Sequence, residues 1–263
     1  MTQNIHPTAI IDPQAQLADG VKVGAYSVIG ANVVIGAGTQ IGSHTLIEGH
    51  TRIGADNQIG HHLILGGIPQ DKKYAGEPTE LVIGDRNTIR EFSSVHTGTV
   101  QDEGVTRIGD DNWIMGYVHI AHDCQIGNQT ILANNVQLAG HVHVQDWAIV
   151  GGMTGVHQFI KIGAHAMVGG GSALHKDVLP YVTISGNPSA AYGINSEGLK
   201  RRGYSPEQIS AIKRAYKMVF RQDLTIEQAI EAMEQAMQED TANASAMRLM
   251  SDFLRTAERG IVR

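Results

Sequence analysis

The amino-acid sequence predicts a parallel β-helix built from six-residue repeats, followed by a small C-terminal α-helical domain. Three observations support this prediction. Aliphatic residues recur at every sixth position through most of the chain, glycine is abundant while aromatic residues are scarce, and the period changes near residue 190. A core rich in Ile, Val and Gly suits thin stacked coils better than a bulky sandwich.

The repeat advances by six residues from Ile5 to Leu65, then from 83 to 95, and finally from 108 to 174. All 26 of these positions are Ile, Leu or Val. Neither the 3.6-residue period of a helix nor the two-residue period of an ordinary strand explains the pattern. Three hexads would close one triangular coil, so that 18 residues advance one turn. Coils stacked about 4.8 Å apart would make a prism on the order of 45 Å long.

Two interruptions break the register, at residues 66–82 and at residues 101–107. A regular prism has no need of either segment, so we expect both to project as loops from corners of the coil. Loops on a rigid scaffold often carry function. A tolerated surface insertion is the alternative for each, and it applies with more force to the shorter segment.

The change of period divides the chain into a β-helix domain at residues 1–189 and a helical domain at residues 190–263. The pair Ser205–Pro206 supplies a cap and a first-turn proline, which predicts the start of a helix. Thr225 predicts the start of a second helix, and a third is expected from about residue 242 to about residue 258.

Composition argues against several classes of function. The formal net charge of −6 argues against a nucleic-acid-binding protein. A single cysteine, Cys124, cannot form an intrachain disulfide, which fits a reducing compartment and predicts a cytoplasmic protein. The first twelve residues do not resemble a secretory signal, and no apolar run approaches 18 residues, so we expect no transmembrane segment.

An 18-residue coil would bring residues that are distant in the sequence onto one strip of surface. Ile120, Leu138, Val156 and Leu174 fall in one column. The residues that flank this column are His119, His122, Asp123, Gly140, His141, His157, Gln158, His175 and Lys176. Solvated corner residues, a metal site and acid–base catalysis are the three interpretations of this strip.

Acid–base catalysis fits the strip best. Hexapeptide-repeat enzymes of the gamma carbonic anhydrase type bind metal through a pattern with two histidines five residues apart. No two of the 13 histidines here have that spacing, so we predict no metal. Histidine can remove a hydroxyl proton near neutral pH, and His122 is the candidate base. Asp123 could orient its ring if the chain turns a corner there, and the Gly140 N–H could stabilise an oxyanion. Cys124, on the same coil, is expected to be an inert small residue rather than a nucleophile.

A second cluster is basic. Residues 200–221 carry seven Lys or Arg side chains against one Glu, in a chain of net negative charge. A solvated helix face would explain such a run. The alternative is a docking surface for an acidic protein or for phosphate groups.

Several segments together resemble a known family. The runs HIAHDCQIGN (119–128), ILANNVQLAGHV (131–142) and GGMTGVHQFIKIGAH (151–165), with QDKKYAGEPT (70–79) and NSEGLKRRGYS (195–205), are similar to UDP-N-acetylglucosamine O-acyltransferases. The resemblance covers essentially the whole chain and implies left-handed winding of the β-helix. It also implies transfer of an R-3-hydroxyacyl chain from acyl carrier protein to the 3-hydroxyl of UDP-N-acetylglucosamine, the first step of lipid A synthesis. The family is homotrimeric with sites between subunits, and the acyl donor's phosphopantetheine belongs to the carrier, so no cofactor is expected.

The resemblance also implies roles for matching positions. His122 would be the general base, Asp123 its orienting partner and Gly140 the oxyanion donor. The basic stretch would dock the acidic carrier. The other implied contacts are Gln70, Asp71 and Lys73 with the sugar and phosphates; His119, His141, His157 and Gln158 along the cleft; Asn195, Glu197, Arg201 and Arg202 with the nucleotide or the phosphopantetheine arm; and Gly170 and Pro188 at the acyl-chain pocket.

Three alternatives to this function remain at the level of sequence. A related acyltransferase could act on another sugar nucleotide, such as a 3-amino analogue. The later N-acyltransferase of the same pathway shares the repeat but carries an extra N-terminal domain, for which a repeat starting at Ile5 leaves no room. A non-catalytic β-helix scaffold is the third, and the histidine strip and the basic stretch argue against it.

Overall fold

Three sheets form the faces of a triangular prism in a computed structural model that describes residues 4–263. Residues 1–3, part of the segment that argues against a secretory signal, lie outside the described residues. The sheets wind as a left-handed parallel β-helix with helices at the C-terminal end, and the predicted fold class is thereby confirmed. Each coil visits the first, second and third face in turn, and we name each edge of the prism by the two faces it joins.

The strands are numbered in chain order. The first face contains β1 (Asn4–Ile5), β4 (Lys22–Val23), β7 (Gln40–Ile41), β10 (Gln58–Ile59), β13 (Thr88–Ile89), β16 (Trp113–Ile114), β19 (Ile131–Leu132), β22 (Ile149–Val150), β25 (Met167–Val168), β27 (Val182–Ser185) and β28 (Ala190–Ile194). The second face contains β2 (Ile10–Ile11), β5 (Val28–Ile29), β8 (Leu46–Ile47), β11 (Ile64–Gly67), β14 (Ser94–His96), β17 (His119–Ile120), β20 (Gln137–Leu138), β23 (Gly155–Val156) and β26 (Ala173–Leu174). The third face contains β3 (Gln16–Leu17), β6 (Val33–Ile35), β9 (His50–Ile53), β12 (Glu80–Ile83), β15 (Val105–Ile108), β18 (Gln125–Ile126), β21 (His143–Val144) and β24 (Lys161–Ile162).

The register of these strands is the predicted 18-residue coil. Ile120 pairs with Leu138, Leu138 with Val156, and Val156 with Leu174. The aliphatic residue of each hexad points inward and is buried, except in the first coil, where Ile5 and its neighbours in the repeat are only partly covered. The core is therefore a stack of aliphatic layers, and burial of these side chains is the main force that holds the coils together.

Both interruptions of the repeat leave the prism at the second–third edge. The first connection runs from residue 68 to residue 79, between β11 and β12, and the second from residue 97 to residue 104, between β14 and β15. The strands that follow them begin earlier than the predicted loop ends, because β12 and β15 extend their pairing to four residues against their neighbours. The two loops therefore lie on the same edge, on consecutive coils.

Four helices follow the prism: α1 (Ser196–Arg201), α2 (Pro206–Phe220), α3 (Ile226–Glu239) and α4 (Ala244–Thr256), with a 3-10 turn at Thr241–Asn243. Ser205 and Thr225 cap α2 and α3 through complete capping boxes, as their positions in the sequence predict. Helix α1 was not predicted from the sequence, because it is too short to show a periodic apolar stripe. The predicted domain boundary falls between β27 and β28, before the first helix begins. Among the described residues no helix is both long and apolar enough to cross a membrane.

Candidate active site

The histidine strip lies along the second–third edge of the prism, where the chain turns a corner between β17 and β18 and again one coil later. Asp123 and His141 occupy equivalent corner positions and both adopt left-handed backbone angles, with φ of 60° and 62°. This turn places the side chain of Asp123 on the same side as that of His122, which two neighbours on a straight strand could not achieve.

His122 and Asp123 form a hydrogen-bonded pair. His122 Nδ1 lies 2.8 Å from Asp123 Oδ2. Asp123 is only 1% exposed, and it also accepts hydrogen bonds from the Thr99 N–H at 2.8 Å and the Thr99 hydroxyl at 2.6 Å. Burial acts to raise the pKa of Asp123, but the hydrogen bonds from His122 and Thr99 together outweigh it and hold the pKa below its usual value. The carboxylate is therefore ionised at neutral pH and keeps the proton of His122 on Nδ1.

This tautomer leaves Nε2 of His122 as the basic nitrogen, and it lies against Gly140. A methyl group built on Gly140 would lie 2.5 Å from His122 Cε1 and 2.7 Å from Nε2, so only glycine leaves room for the ring. Within residues 4–263, the Gly140 N–H donates to no other group. A base and a free backbone donor are thus adjacent, which is the arrangement that acyl transfer requires.

His141 lies next to the His122–Asp123 pair, one coil further along the edge. Its ring meets the His122 ring edge to face, with centroids 5.1 Å apart, and stacks on Phe159 at 4.4 Å. Its Nδ1 lies 2.7 Å from Asp102 Oδ2, and its Nε2 lies 3.7 Å from Asp123 Oδ2. Two histidine–carboxylate pairs therefore stand next to each other on consecutive coils.

Two further histidines extend the site across the second face. His119 Nδ1 lies 2.9 Å from Ser94 Oγ, and the His96 ring meets the His119 ring edge on at 5.1 Å. Burial, with some repulsion from neighbouring histidines, lowers the pKa of both, to about 4 for His96. Both rings are therefore neutral at pH 7 and can only supply hydrogen bonds to a ligand.

The atoms of His122, Asp123 and His141 are also close enough together to hold a metal ion, since their ligating atoms lie within 4.8 Å of one another. Each of them already has a hydrogen-bond partner that suits its role in an acid–base pair. The arrangement is therefore complete as a proton-transfer site, and the absence of a metal requirement stays a prediction.

Cys124 lies beside this cluster but does not take part in it. Burial raises the pKa of its thiol to about 12, and Sγ donates to the Ala139 carbonyl oxygen at 3.2 Å. A thiol in this state is not a nucleophile.

Comparison with known proteins identifies the family. The sequence model described as "Udp N-acetylglucosamine O-acyltransferase; Domain 2" matches residues 177–262, and "Bacterial transferase hexapeptide (six repeats)" matches residues 4–37 and 106–140. The chain is 60% identical over 259 residues to the acyl-[acyl-carrier-protein]–UDP-N-acetylglucosamine O-acyltransferase of Thiobacillus denitrificans, covering 98% of this chain and 99% of that protein. The same enzyme of Herminiimonas arsenicoxydans is 58% identical with the same coverage.

The chain belongs to the UDP-N-acetylglucosamine O-acyltransferase family. Solved structures agree with this assignment. The enzyme of Moraxella catarrhalis superposes with a TM-score of 0.94 at 47% identity, covering 98% of this chain and 99% of that chain. The protein from Acinetobacter baumannii gives the same TM-score and coverage at 49% identity.

The remaining predicted residues of this O-acyltransferase lie on all three edges. His157 and Gln158 are exposed on the second–third edge, one coil beyond His141. The predicted loop residues project from the same edge, where Asp71 Oδ1 accepts from the Lys73 N–H at 3.0 Å and Gln70 is exposed. These five residues share an edge with His122. The coil register predicts this position for His157 and Gln158, but not for the three loop residues.

The residues predicted to meet the nucleotide or the phosphopantetheine arm lie instead at the third–first edge, where α1 begins. Asn195 is 7% exposed and caps α1, with its oxygen accepting from the Gly198 N–H and its amide donating to the His165 carbonyl oxygen. Arg202 donates to His165 Nδ1 at 3.2 Å and lies over the Trp147 ring. Their side chains thus already have partners within the chain.

Two further predicted residues of this edge are exposed. Glu197 pairs with Lys200 at 2.7 Å, and Arg201 reaches into solvent. Of the four residues predicted here, these two have side chains that a bound nucleotide could reach without displacing a buried contact.

The acyl-chain residues lie at the first–second edge. Gly170 is exposed there, and a methyl built on it would meet only backbone of Gly152. Pro188 lies in the turn between β27 and β28, which is held to the preceding strand, β26, by Ser189 donating to the Ala173 carbonyl oxygen. Gly170 and Pro188 thus lie on neighbouring layers of one edge, and their role stays a prediction.

Sequence analysis missed three residues of the site: His96, Thr99 and Asp102. His96 is the last residue of β14, whereas Thr99 and Asp102 lie in the loop that follows it at residues 97–104 and leaves the repeat. A register count cannot position a residue inside a break, because the loop length does not fix where its side chains return. A break next to a histidine-rich coil was the only available signal.

Proposed function

We propose that the chain transfers an R-3-hydroxyacyl group from acyl carrier protein to the 3-hydroxyl of UDP-N-acetylglucosamine, the first step of lipid A synthesis. The observation that carries the proposal is the His122–Asp123 pair beside the free Gly140 N–H. The family supports the substrates, since its curated members are acyl-[acyl-carrier-protein]–UDP-N-acetylglucosamine O-acyltransferases.

The reaction proceeds without a covalent enzyme intermediate. His122 Nε2 accepts the proton of the sugar hydroxyl as its oxygen attacks the thioester carbonyl carbon and forms the new C–O bond. The negative charge that develops on the carbonyl oxygen is stabilised by the Gly140 N–H. When the tetrahedral intermediate collapses, the C–S bond breaks, and the imidazolium returns its proton to the departing phosphopantetheine thiolate. Asp123 stabilises the imidazolium throughout.

The distribution of the predicted site residues supports the proposal of a homotrimer. His122, Arg201 and Gly170 lie on three different edges of one prism, so one chain cannot bring them to a single small substrate. Neighbouring copies packed side by side would bring unlike edges together. Within the single chain the second face and its border with the first expose a strip of large apolar side chains, namely Ile10, Tyr26, Ile64, Phe92 and Tyr117. Such strips mark interfaces.

The carrier docks on the basic stretch. Lys213, Lys217 and Arg221 are exposed on α2 or at its end, and acyl carrier protein is acidic. Attraction between such surfaces speeds association and weakens with salt. A cytoplasmic location fits this partner and the single free cysteine, and it stays a prediction.

The decisive experiment compares His122→Ala with His50→Ala, a change of an exposed histidine on the third face. With acyl carrier protein loaded with R-3-hydroxyacyl chains of mixed length, we expect loss of a general base to lower turnover by about 10²- to 10⁴-fold. The control should be unaffected. Mass spectrometry of the product identifies the acceptor and the chain length. Near-normal turnover of His122→Ala would remove the mechanism, and acylation of a 3-amino acceptor alone would replace the substrate.

A further inference from the structure

The shorter loop carries an acidic residue into the candidate site, although the family resemblance assigns that loop no role. Asp102 lies between β14 and β15, and its carboxylate Oδ2 lies 2.7 Å from His141 Nδ1, 39 positions away in the sequence. The loop is turned back toward the prism by the Asp102 N–H, which donates to the Thr99 carbonyl oxygen at 3.2 Å. Thr99 itself holds Asp123. One loop therefore supports both histidine–carboxylate pairs.

Two aromatic neighbours hold the His141 ring. Phe159 stacks on it with planes 12° apart, and the guanidinium of Arg259 lies over the Phe159 ring, 5.1 Å from its centroid. The His122 ring meets it at 89°. These contacts fix the plane of the imidazole, but they do not decide which of its two nitrogens carries the proton.

The contact with Asp102 decides that question. A carboxylate is a hydrogen-bond acceptor only, so His141 Nδ1 must carry the proton that it shares with Asp102. In the neutral ring, Nε2 is then an acceptor, and it lies beside the His122–Asp123 pair. Without Asp102 the proton would be free to move to Nε2, where Asp123 Oδ2 lies 3.7 Å away.

We propose that Asp102 is a positioning residue for the transfer reaction: it holds His141 with the proton on Nδ1, so that Nε2 accepts a hydrogen bond from a hydroxyl of the acceptor substrate. This inference rests on the proposed function for the identity of that substrate. The hydroxyl bound by His141 is held next to the base His122, so the contact aligns the sugar rather than taking its proton. Asp102 touches neither the substrate nor the reacting atoms.

Three variants test the proposal: Asp102→Ala removes the acceptor, Asp102→Asn keeps an acceptor oxygen without the charge, and Glu103→Gln changes the neighbouring exposed acid as a control. We expect Asp102→Ala to raise the KM for the sugar nucleotide by about 3- to 10-fold, the effect of one hydrogen bond, with a smaller change in kcat. Asp102→Asn should recover most of this loss. Glu103→Gln should behave as the unaltered protein.

A second readout is independent of activity. In protein labelled with ¹⁵N-histidine, the shifts of the two ring nitrogens report which one is protonated, and His141→Gln identifies the signal. We expect the Nδ1–H form in the unaltered protein and a shift toward Nε2–H in Asp102→Ala.

An unchanged tautomer in Asp102→Ala would overturn the proposal whatever the enzyme does. So would a changed tautomer with unchanged KM. Failure of the unaltered protein to acylate UDP-N-acetylglucosamine, with the tautomer change intact, would overturn the proposed function instead.

Discussion

Gly140 is the residue whose lack of a side chain allows the His122 ring to lie where it does. Any β-carbon there would overlap the imidazole, yet the backbone of Gly140 does not adopt a left-handed angle that would by itself demand glycine. Position 140 therefore requires glycine because the His122 ring occupies the space that a side chain would need. Its N–H, at the same point, is a donor for the oxyanion in the proposed mechanism.

We predict that Gly140→Ala lowers kcat by at least about 100-fold, because the methyl displaces both the His122 base and the oxyanion position. The fold should persist, since the ring can rotate toward the cleft. Steady-state kinetics with circular dichroism measures both properties.

Gly155→Ala is the matched control, one coil further on, where an added β-carbon meets nothing within 4 Å. It should keep near-normal turnover. Equal activity of the two variants would show that the space at Gly140 has no catalytic importance.

At the scale of elements, the buried His165 joins the turn after α1 to the prism through Arg202 and Tyr204. The His165 ring stacks between Trp147 and Tyr181, with planes 6° and 16° apart. Arg202 can only donate, so His165 Nδ1 must be unprotonated, and Nε2–H donates to the Tyr204 oxygen at 3.1 Å. Burial first, and then repulsion from Arg202, lowers the pKa of His165 to about 4.

This lowered pKa predicts acid destabilisation. Between about pH 6.5 and pH 4 the unfolded chain binds a proton at His165 that the folded chain does not, so the stability that the neutral ring contributes is complete above pH 6.5 and is lost as the pH falls toward 4. The loss from His165 is at most about 3 kcal/mol. His96 adds in the same direction.

Urea midpoints at pH 7, 5.5 and 4.5, at one protein concentration, measure this effect. His165→Gln should be less stable than the unaltered chain at pH 7 and should lose less stability on acidification. The exposed His50→Gln should follow the unaltered chain throughout. A pH dependence that is the same in all three proteins would contradict the assignment to His165.

At the scale of the whole molecule, the residues of the site are separated by the triangular cross-section of the prism. The second–third edge carries His122, the proposed base, the third–first edge carries α1, and the first–second edge carries Gly170. The proposed trimer is what would unite them. The exposed aromatic ladder that runs through Tyr26, Phe92 and Tyr117 is a suitable contact surface, since its rings stack at about 5 Å on intervening histidines or on one another.

We predict that Phe92→Asp dissociates the proposed trimer and abolishes transfer, because a carboxylate in an apolar contact loses its hydration without gaining a partner. Sedimentation velocity gives the mass and the standard assay gives the activity. Gln16→Asp, an exposed change on the third face, should remain trimeric and active. A monomeric Phe92→Asp protein with full activity would show that one chain contains the whole site.

The sequence predicted the prism well because the repeat is local: each hexad carries its own inward aliphatic residue, and stacking follows from a constant coil length. For the same reason it predicted that His122, Gly140 and His157 share an edge. It predicted the caps at Ser205 and Thr225, which depend on neighbours three residues away. It did not predict Thr99 or Asp102, because both lie in the loop at residues 97–104, which leaves the repeat before the break predicted at residues 101–107.

The sequence by itself therefore determined the coil, its core and the edge on which the histidines lie, since these depend on spacing along the chain. Only the tertiary structure decided which groups complete the site. The left-handed corner at Asp123 turns its carboxylate to His122, and a loop returning across 39 positions brings Asp102 to His141. The tertiary structure also places Asn195 and Arg202 on another edge, where both side chains hold α1 to the prism. Contacts of this kind depend on the closure of loops in space, which no periodicity encodes.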